Sequence, residues 1–251
     1  MATTYLERTV TTPDADGNKK GTFSAWIKRA VNGVEHILYC TRASASNYAR
    51  FRINDDNTIN VNSNTSGTAY YATTNALFID PTAFYHIVVT YDTTQSTEAD
   101  RIKIYVNGVE QTKSAANYPA QDATIYLLES GQPQRIGKES SSGFFEGLFS
   151  YAIYTEGYAY DASAFGETES SSGIWKLKTT PSVTYGTNGF FLKMETASPG
   201  TDSSGNDNTF TSGGTPTLAQ DNASNNFCTL NPLAPQGSDA SNIVFTNGNT
   251  T

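Results

Sequence analysis

The fold class is decided by Phe84-Tyr-His-Ile-Val-Val-Thr-Tyr-Asp92 and, after a short break, by Arg101-Ile-Lys-Ile-Tyr-Val-Asn-Gly-Val109. Residues two apart share a face of a strand, and both faces of the first stretch are largely apolar, which predicts a strand buried between two layers. The second stretch alternates apolar and polar residues, which predicts one buried face. Asn107-Gly108 is a strong hairpin signal, because both residues tolerate the positive φ of a type I′ turn. Together they predict an antiparallel β-sandwich.

The bulk composition limits the possible partners. A chain of 251 residues suits one large β-domain with an extension. Lys and Arg number 16 against 24 Asp and Glu, and this net charge of -8 repels phosphates, so we expect no nucleic acid and no anionic membrane as partner. Two cysteines, Cys40 and Cys228, exclude a disulfide framework. They could form one bridge, although two buried free thiols are favoured.

The N-terminus has no apolar run after a basic start, unlike a signal peptide. No stretch approaches the ~20 apolar residues of a membrane span. We therefore expect a product that is made in a cytoplasm and does not leave by a standard secretion route.

Period-two patterns predict further strands around the central pair. These are residues 5–10, 21–29, 36–41, 48–53, 58–62, 125–128, 134–137, 143–154 and 189–194. In residues 21–29, the side chains of Phe23, Ala25 and Ile27 are predicted on one face and Trp26 on the other.

The remaining segments are predicted as loops, one helical turn and an arm. Residues 65–75 are predicted as a loop or an edge, 114–121 as a loop, and 161–165 as a helical turn with an aspartate N-cap. From residue 198 the chain is mostly Ser, Thr, Gly, Asn, Asp and Pro, which cannot form a core of its own. We predict a sandwich domain at 1–197 and an extended polar arm at 198–251, which lies on the sandwich or on a partner.

Five motifs, taken in order, resemble a known family. They are Phe23-Ser-Ala-Trp-Ile-Lys-Arg29, Asp80-Pro-Thr-Ala-Phe-Tyr-His-Ile-Val-Val89, Asp100-Arg-Ile-Lys-Ile-Tyr-Val-Asn-Gly108, Arg135-Ile-Gly137 and Phe145-Glu-Gly147. The family is the concanavalin A-like lectin/glucanase sandwich in its laminin-G and pentraxin-like form. The resemblance implies an all-β, jelly-roll-like antiparallel sandwich.

The whole chain also resembles structural proteins of tailed bacteriophages. The motifs that carry this likeness are Phe165-Gly-Glu-Thr168, Gly173-Ile-Trp175, Tyr185-Gly-Thr-Asn-Gly189, Thr201-Asp-Ser-Ser-Gly-Asn206 and Asn225-Asn-Phe-Cys-Thr-Leu-Asn-Pro-Leu233. The likeness implies a virion protein made in the host cytoplasm.

We expect no enzymatic activity. Hydrolases that resemble this sandwich carry a Glu-x-Asp-x-Glu on one strand, because retaining hydrolysis needs two carboxyls ~5 Å apart. The chain has no such triplet, and Glu146 stands alone on its strand. His36 and His86 both belong to apolar strand patterns, which indicates structural roles, and no Gly-x-Ser-x-Gly elbow is present.

Calcium is the one candidate cofactor. Asp14, Asp16 and Asn18 offer oxygens at alternate positions, as calcium loops do, and Asp202 and Asn206 belong to a second oxygen-rich turn. The rest of an EF-hand loop is absent, and turns are rich in Asp and Asn for backbone reasons. Both interpretations remain open at this point.

Five tyrosines in loop-like stretches are candidates for an aromatic platform that binds a glycan. They are Tyr70, Tyr71, Tyr118, Tyr158 and Tyr160. Tyrosine is equally common in the core of a protein interface, so the sequence favours neither a sugar platform nor a protein contact.

The leading hypothesis is a non-enzymatic virion protein that decorates or cements the capsid. In it the arm extends between neighbouring subunits, and the partners are other copies of the chain and other virion proteins (the major capsid protein or tail proteins). The alternative is a tail-fibre or adhesion protein whose sandwich binds host surface polysaccharide. A glycan-active hydrolase ranks third, because the carboxylate set is missing.

Overall fold

The computed structural model describes residues 4–140 and 143–224. These residues form sixteen strands, and every strand pairing among them is antiparallel. The strands are β1 Tyr5–Thr9, β2 Lys20–Arg29, β3 His36–Ser44, β4 Asn47–Ile53, β5 Ile59–Thr65, β6 Thr68–Thr74, β7 Tyr85–Asp92, β8 Ile102–Val106, β9 Val109–Glu110, β10 Lys113–Asn117, β11 Pro133–Ile136, β12 Gly147–Glu156, β13 Gly166–Thr168, β14 Trp175–Leu177, β15 Phe190–Leu192 and β16 Thr211–Gly213.

The strands make two large sheets and one hairpin. The eight-stranded sheet has the order β10-β6-β5-β4-β3-β11-β1-β16, and the six-stranded sheet has the order β15-β12-β2-β7-β8-β9. Strands β13 and β14 pair only with each other among the described residues. The predicted all-β antiparallel sandwich is confirmed. No helix within the described residues is long and apolar enough to cross a membrane.

The main core lies between the two large sheets. Phe23, Ala25 and Ile27 of β2 enter this core, while Trp26 belongs to a second apolar cluster on the outer face of the six-stranded sheet. The predicted division of the β2 side chains between two faces is therefore confirmed. At roughly 25 cal/mol per Å² of buried apolar surface, the inter-sheet cluster is the main source of stability.

Residues 157–188, which include β13 and β14, cover the outer face of the six-stranded sheet. Strand β7 is therefore buried on both sides: Ile87 and Val89 lie in the inter-sheet core, and Val88 lies in the outer cluster. This confirms the two-sided burial that the sequence predicted. The predicted helical turn is also present, as a short 3₁₀ turn at Ala162–Ala164 capped by the side chain of Asp161.

The central hairpin is held by residues 157–188, which we call the cover. Asn107 and Gly108 have φ angles of 49° and 83°, as the predicted type I′ turn requires. The ring of Trp175 packs against Gly108, where a Cβ atom would lie 2.6 Å from a ring carbon. The Trp175 indole N–H donates a 2.9 Å hydrogen bond to Nδ1 of His86, whose ring stacks on Trp26 at 4.7 Å. These contacts tie β14 to β2, β7 and the hairpin.

Three local predictions are corrected by the structure. Residues 125–128 were predicted as a strand but are a buried, irregular segment. The side chain of Asn18 accepts hydrogen bonds from the N–H groups of Leu127 and Leu128, and so replaces a strand partner. Residues 114–121 were predicted as a loop, but most of β10 lies there. Residues 65–75 were predicted as a loop or an edge, but strand β6 occupies residues 68–74 and lies one strand inside the edge strand β10.

Residues 198–224, from the predicted arm, lie on the sandwich. Strand β16 pairs with β1, Phe210 is buried against Phe190, and Asp221 forms a buried ion pair of 2.8 Å with Lys28. Residues 225–251 of the predicted arm, including Cys228, lie outside the described residues.

Candidate functional site

The outer face of the eight-stranded sheet is polar and partly accessible. On β4, Ala49, Phe51 and Ile53 are fully buried in the inter-sheet core. Because successive side chains on a strand point to opposite sides, Tyr48 and Arg50 face outwards, and both are half-buried. The same alternation on neighbouring strands builds a continuous surface of polar and aromatic side chains.

One line of side chains crosses five strands of this face in register. Arg135 of β11 lies opposite Cys40 of β3, which lies opposite Arg50 of β4. Arg50 lies opposite Asn62 of β5, which lies opposite Tyr71 of β6. Directly opposite Cβ atoms in a sheet are ~5 Å apart, so each of these side chains is within reach of the next.

Glu139, from the loop between β11 and β12, lies over this line. Its side chain is 8% exposed and forms ion pairs with Arg42 and with Arg50, the latter at 3.0 Å. Its backbone carbonyl accepts a 2.9 Å hydrogen bond from Arg135. The guanidinium groups of Arg42 and Arg50 both lie over the ring of Tyr48, at 5.3 and 5.1 Å from its centroid. Such contacts are worth ~0.5–1 kcal/mol each near a surface, and they hold both guanidiniums in place.

We call Arg42, Tyr48, Arg50, Asn62, Tyr71 and Glu139 the arginine face. Its charge is opposite to that of the whole chain. The ion pairs on this side of the sheet join four arginines to three glutamates, since Arg52 pairs with Glu35 and Arg135 with Glu7. Within the arginine face itself, Arg42 and Arg50 carry two positive charges against the one carboxylate of Glu139, whereas the chain carries a net charge of -8.

Two buried polar atoms of the arginine face lack a hydrogen-bond partner among the described residues. They are Oδ1 of Asn62 and Nε of Arg50, which are cross-strand neighbours. A buried polar atom without a partner costs ~1–3 kcal/mol, and both atoms lie beneath the accessible surface of the face. Tyr71 on the next strand adds an aromatic ring beside them.

Cys40 lies beneath this charge cluster and is a free thiol. It is fully buried, and this burial raises the pKa of its thiol to about 12. Glu139 raises the pKa further, while Arg135, Arg42 and Arg50 lower it. The thiol is therefore protonated at neutral pH and has no nucleophilic role.

The structure separates the five tyrosines that the sequence proposed for sugar binding. Only Tyr71 of these five belongs to the arginine face; Tyr70 and Tyr118 pack against the inter-sheet core. Tyr158 and Tyr160 belong to the cover on the six-stranded sheet, where their rings stack at 6.3 Å. They therefore do not form one platform.

The first candidate calcium loop does not fit a metal ion. Both carboxylate oxygens of Asp14 accept hydrogen bonds from Thr187, at 3.0 Å from its N–H and 2.5 Å from its hydroxyl. The side-chain oxygen of Asn18 accepts from the buried irregular segment described above. The Asp16 side chain is exposed, and of the three it alone has no hydrogen-bond donor among the described residues. One carboxylate is too few ligands for calcium, which takes six to eight oxygens.

The second candidate loop is a structural turn. Oδ1 of Asp202 accepts from the N–H groups of Phe191 and Ser204, and Oδ2 accepts from the N–H of Asn208. The amide of Asn206 donates to the carbonyls of Gly186 and Gly189. Within residues 4–140 and 143–224, no three His, Cys, Asp or Glu side chains are grouped closely enough to hold a metal.

Both histidines are hydrogen-bonded within the fold. Trp175 donates to Nδ1 of His86, so Nε2 carries the proton and donates to the Ser24 hydroxyl at 2.8 Å. Complete burial lowers the pKa of His86 to about 3. His36 bonds to the carbonyl of Val31 through Nε2, and burial lowers its pKa as well.

Burial raises the pKa of the Glu156 carboxyl, and the nearby charge of Asp14 also raises it. It is fully buried and accepts hydrogen bonds from the backbone N–H groups of Asp14 and Asn188. These contacts close one end of the sandwich, and the carboxyl has no access to a substrate. Its role is therefore structural.

Comparison with known proteins places the fold in a family. Residues 4–156 match the family described as the concanavalin A-like lectin/glucanases superfamily (Laminin_G_3). The chain belongs to this family. A putative carbohydrate binding protein from Bacteroides ovatus is similar in structure, with a TM-score of 0.53 and 18% identity over 85% of this chain and 56% of that protein. At this identity the likeness is one of fold.

Two other solved structures show weaker likeness. A native heptameric SAP-like pentraxin from Limulus polyphemus has 14% identity over 63% of this chain and 71% of its own, with a TM-score of 0.43. Tailspike protein 2 of Escherichia coli O157:H7 bacteriophage CAB120 has 12% identity over 64% of this chain and 22% of its own, with a TM-score of 0.44. No curated protein sequence matches the chain. The predicted concanavalin A-like family is confirmed, and the bacteriophage origin stays a prediction.

Proposed function

We propose that this chain is a non-enzymatic carbohydrate-binding module whose glycan lies on the arginine face. The observation that carries the proposal is the alignment of Tyr71, Asn62 and Arg50 across three neighbouring strands. Strands lie ~4.8 Å apart, so these side chains form a line of ~10 Å. An aromatic ring offers a surface for the apolar face of a sugar, and the amide and guanidinium offer hydrogen bonds to its hydroxyls.

The accessible parts of these side chains support a binding role. Oδ1 of Asn62 and Nε of Arg50 lie too deep for a ligand to contact, so the accessible parts of the face would carry the binding. The side chain of Arg50 is 20% exposed and uses only Nη1 toward Glu139, and the Tyr71 side chain is half-buried. Sugar hydroxyls can accept hydrogen bonds from the outer guanidinium N–H groups.

The carboxylates of this face support binding without cleavage. Glu139 is held between Arg42 and Arg50, and Glu35 pairs with Arg52. A retaining glycosidase needs two carboxyls about 5 Å apart on either side of the scissile bond, whereas both of these carboxylates are held in ion pairs with arginines. This arrangement is suited to fixed electrostatic contacts.

Within a virion, a glycan-binding face favours the adhesion role over the capsid-decoration role that the sequence analysis placed first. The ligand would be a host surface polysaccharide, and the other partners would be tail proteins and further copies of this chain. The resemblance to proteins of tailed bacteriophages supports the virion setting. Gold-antibody labelling of purified particles tests it, with label on the tail expected and label over the head favouring decoration.

The binding proposal is tested on an array of bacterial surface polysaccharides. We expect saturable binding that Tyr71→Ala and Asn62→Ala each weaken by about tenfold, or ~1.4 kcal/mol. Tyr158→Ala is the matched control, because Tyr158 is 43% exposed and lies in the cover of the other sheet. Thermal unfolding of each variant checks that it is folded. Weakening by Tyr158→Ala, with no effect of Tyr71→Ala, would refute the arginine face as the site.

A further inference from the structure

The excess positive charge of the arginine face indicates which class of glycan binds there. Resting on the proposed function, we infer that the ligand is an anionic, carboxylated glycan, and that Arg42 and Arg50 bind its carboxylate beside Glu139. The inference adds the guanidinium pair to the aromatic line described above, with which it shares Arg50.

Arg42 and Arg50 have hydrogen-bonding capacity that the described residues do not use. Each donates one hydrogen bond, from Nη1 to Glu139. A guanidinium carries several further N–H donors arranged as a planar fork that matches a carboxylate. The two side chains are 29% and 20% exposed, so donors at their outer ends can reach a ligand, although Nε of Arg50 is buried.

The guanidinium pair is also ordered before any ligand arrives. Both groups lie on the ring of Tyr48, and Glu139 bridges them. A pair that is already held in place loses little conformational entropy on binding, which favours affinity. Arginine rather than lysine suits this role, because the planar fork is rigid and recognises a carboxylate through two parallel bonds.

Charge balance argues against a purely structural role for these arginines. Glu139 is shared by two arginines, while Glu35 and Glu7 each pair with one. Arg42 and Arg50 together therefore carry two positive charges against the single carboxylate of Glu139, on a protein whose net charge is -8. A local field opposite in sign to the whole chain attracts an anionic ligand to this face.

The test compares two polymers that differ only in the carboxyl group: polygalacturonate and the same polymer with its carboxyls reduced to primary alcohols. We expect the wild-type protein to bind polygalacturonate at least about tenfold more tightly at low salt, with the preference shrinking as salt is raised. Equal binding to both polymers would overturn the carboxylate inference and leave the proposed function standing. Binding to neither would also overturn it, and the array result would then decide the proposed function separately.

The variants are chosen to limit misfolding, and thermal unfolding of each one checks that it is folded. Arg42→Gln with Arg50→Gln should abolish the preference, but this change leaves Glu139 buried without a counter-charge. A second variant therefore adds Glu139→Gln, which removes that charge too. Lys176→Gln is the matched control, because Lys176 is an exposed cation in β14, paired with Glu167 and Glu169. If the triple variant kept the preference for polygalacturonate, the inference would be wrong.

Discussion

Replacing Phe210 with alanine should destabilise the sandwich by about 3–5 kcal/mol, the usual cost of truncating a buried phenylalanine. Phe210 is only 4% exposed, its ring packs edge-on against Phe190 at 4.8 Å, and the guanidinium of Arg8 lies 5.9 Å from its centroid. The arginine and the flanking sheet are held by many other contacts, so the space would not close readily. For a chain of this size the melting temperature should fall by about 10 °C.

Urea unfolding followed by tryptophan fluorescence measures this free energy directly. The midpoint should fall while the slope stays unchanged, because the surface exposed on unfolding is nearly the same. Leu218→Ala is the control, since Leu218 lies in the same segment but is 58% exposed and should cost under ~0.5 kcal/mol. If Phe210→Ala behaved like Leu218→Ala, residues 198–224 would not be part of the folded unit, and the sandwich would stop near residue 197.

Three further predictions concern protonation, thiol chemistry and metal. The pKa of His86 is about 3 in the folded protein against 6.5 normally, so between these pH values the unfolded chain binds more protons than the folded one. The free energy of unfolding should therefore fall as pH drops from about 6.5 towards 3, by up to ~1.4 kcal/mol per pH unit. The substitution His86→Phe should reduce that slope in acid-unfolding curves. In a Cys228→Ser background, Cys40 should react with a disulfide reagent at pH ~8 only when the protein unfolds, because burial raises its thiol pKa to about 12. Rapid labelling of the folded protein would contradict this prediction. Chelation with EDTA should shift the melting temperature by less than about 2 °C, because Asp14 and Asp202 use their oxygens within the fold; a larger fall would reveal a bound cation.

The strands and their buried faces were largely predictable, because a period of two is a local property of the sequence. The β2 side chains divide between two faces as their alternation indicates, and Asn107-Gly108 forms the expected turn. The errors arose where a distant partner supplies the structure. The 125–128 segment has the apolar character of a strand, yet Asn18 satisfies its backbone from more than a hundred residues away. Strand β10 is built from small residues that β6 pairs with at a sheet edge.

The candidate site was predictable only in part. Tyr71 was among the proposed sugar-binding residues, but Arg42, Arg50, Asn62 and Glu139 were not. A signal was present, because Tyr48, Arg50 and Arg52 alternate with buried residues along β4. What no local pattern gives is register: the line from Arg50 to Tyr71 depends on how three strands are aligned, and β3 changes register twice against β4. Glu139 reaches the site from a loop 89 residues further along the chain than Arg50.

The packing of Trp175 limits how the sequence can vary. A Cβ atom at Gly108 would lie 2.6 Å from the indole, and one at Gly166 would lie 2.5 Å from it. Gly108 is also required by its φ of 83°, but Gly166 has no positive φ and is constrained by space alone. Among homologues, a larger residue at the position of Gly166 should therefore occur together with a smaller one at the position of Trp175. In the laboratory the two substitutions should show positive epistasis, with Gly166→Ala tolerated better alongside Trp175→Phe than by itself.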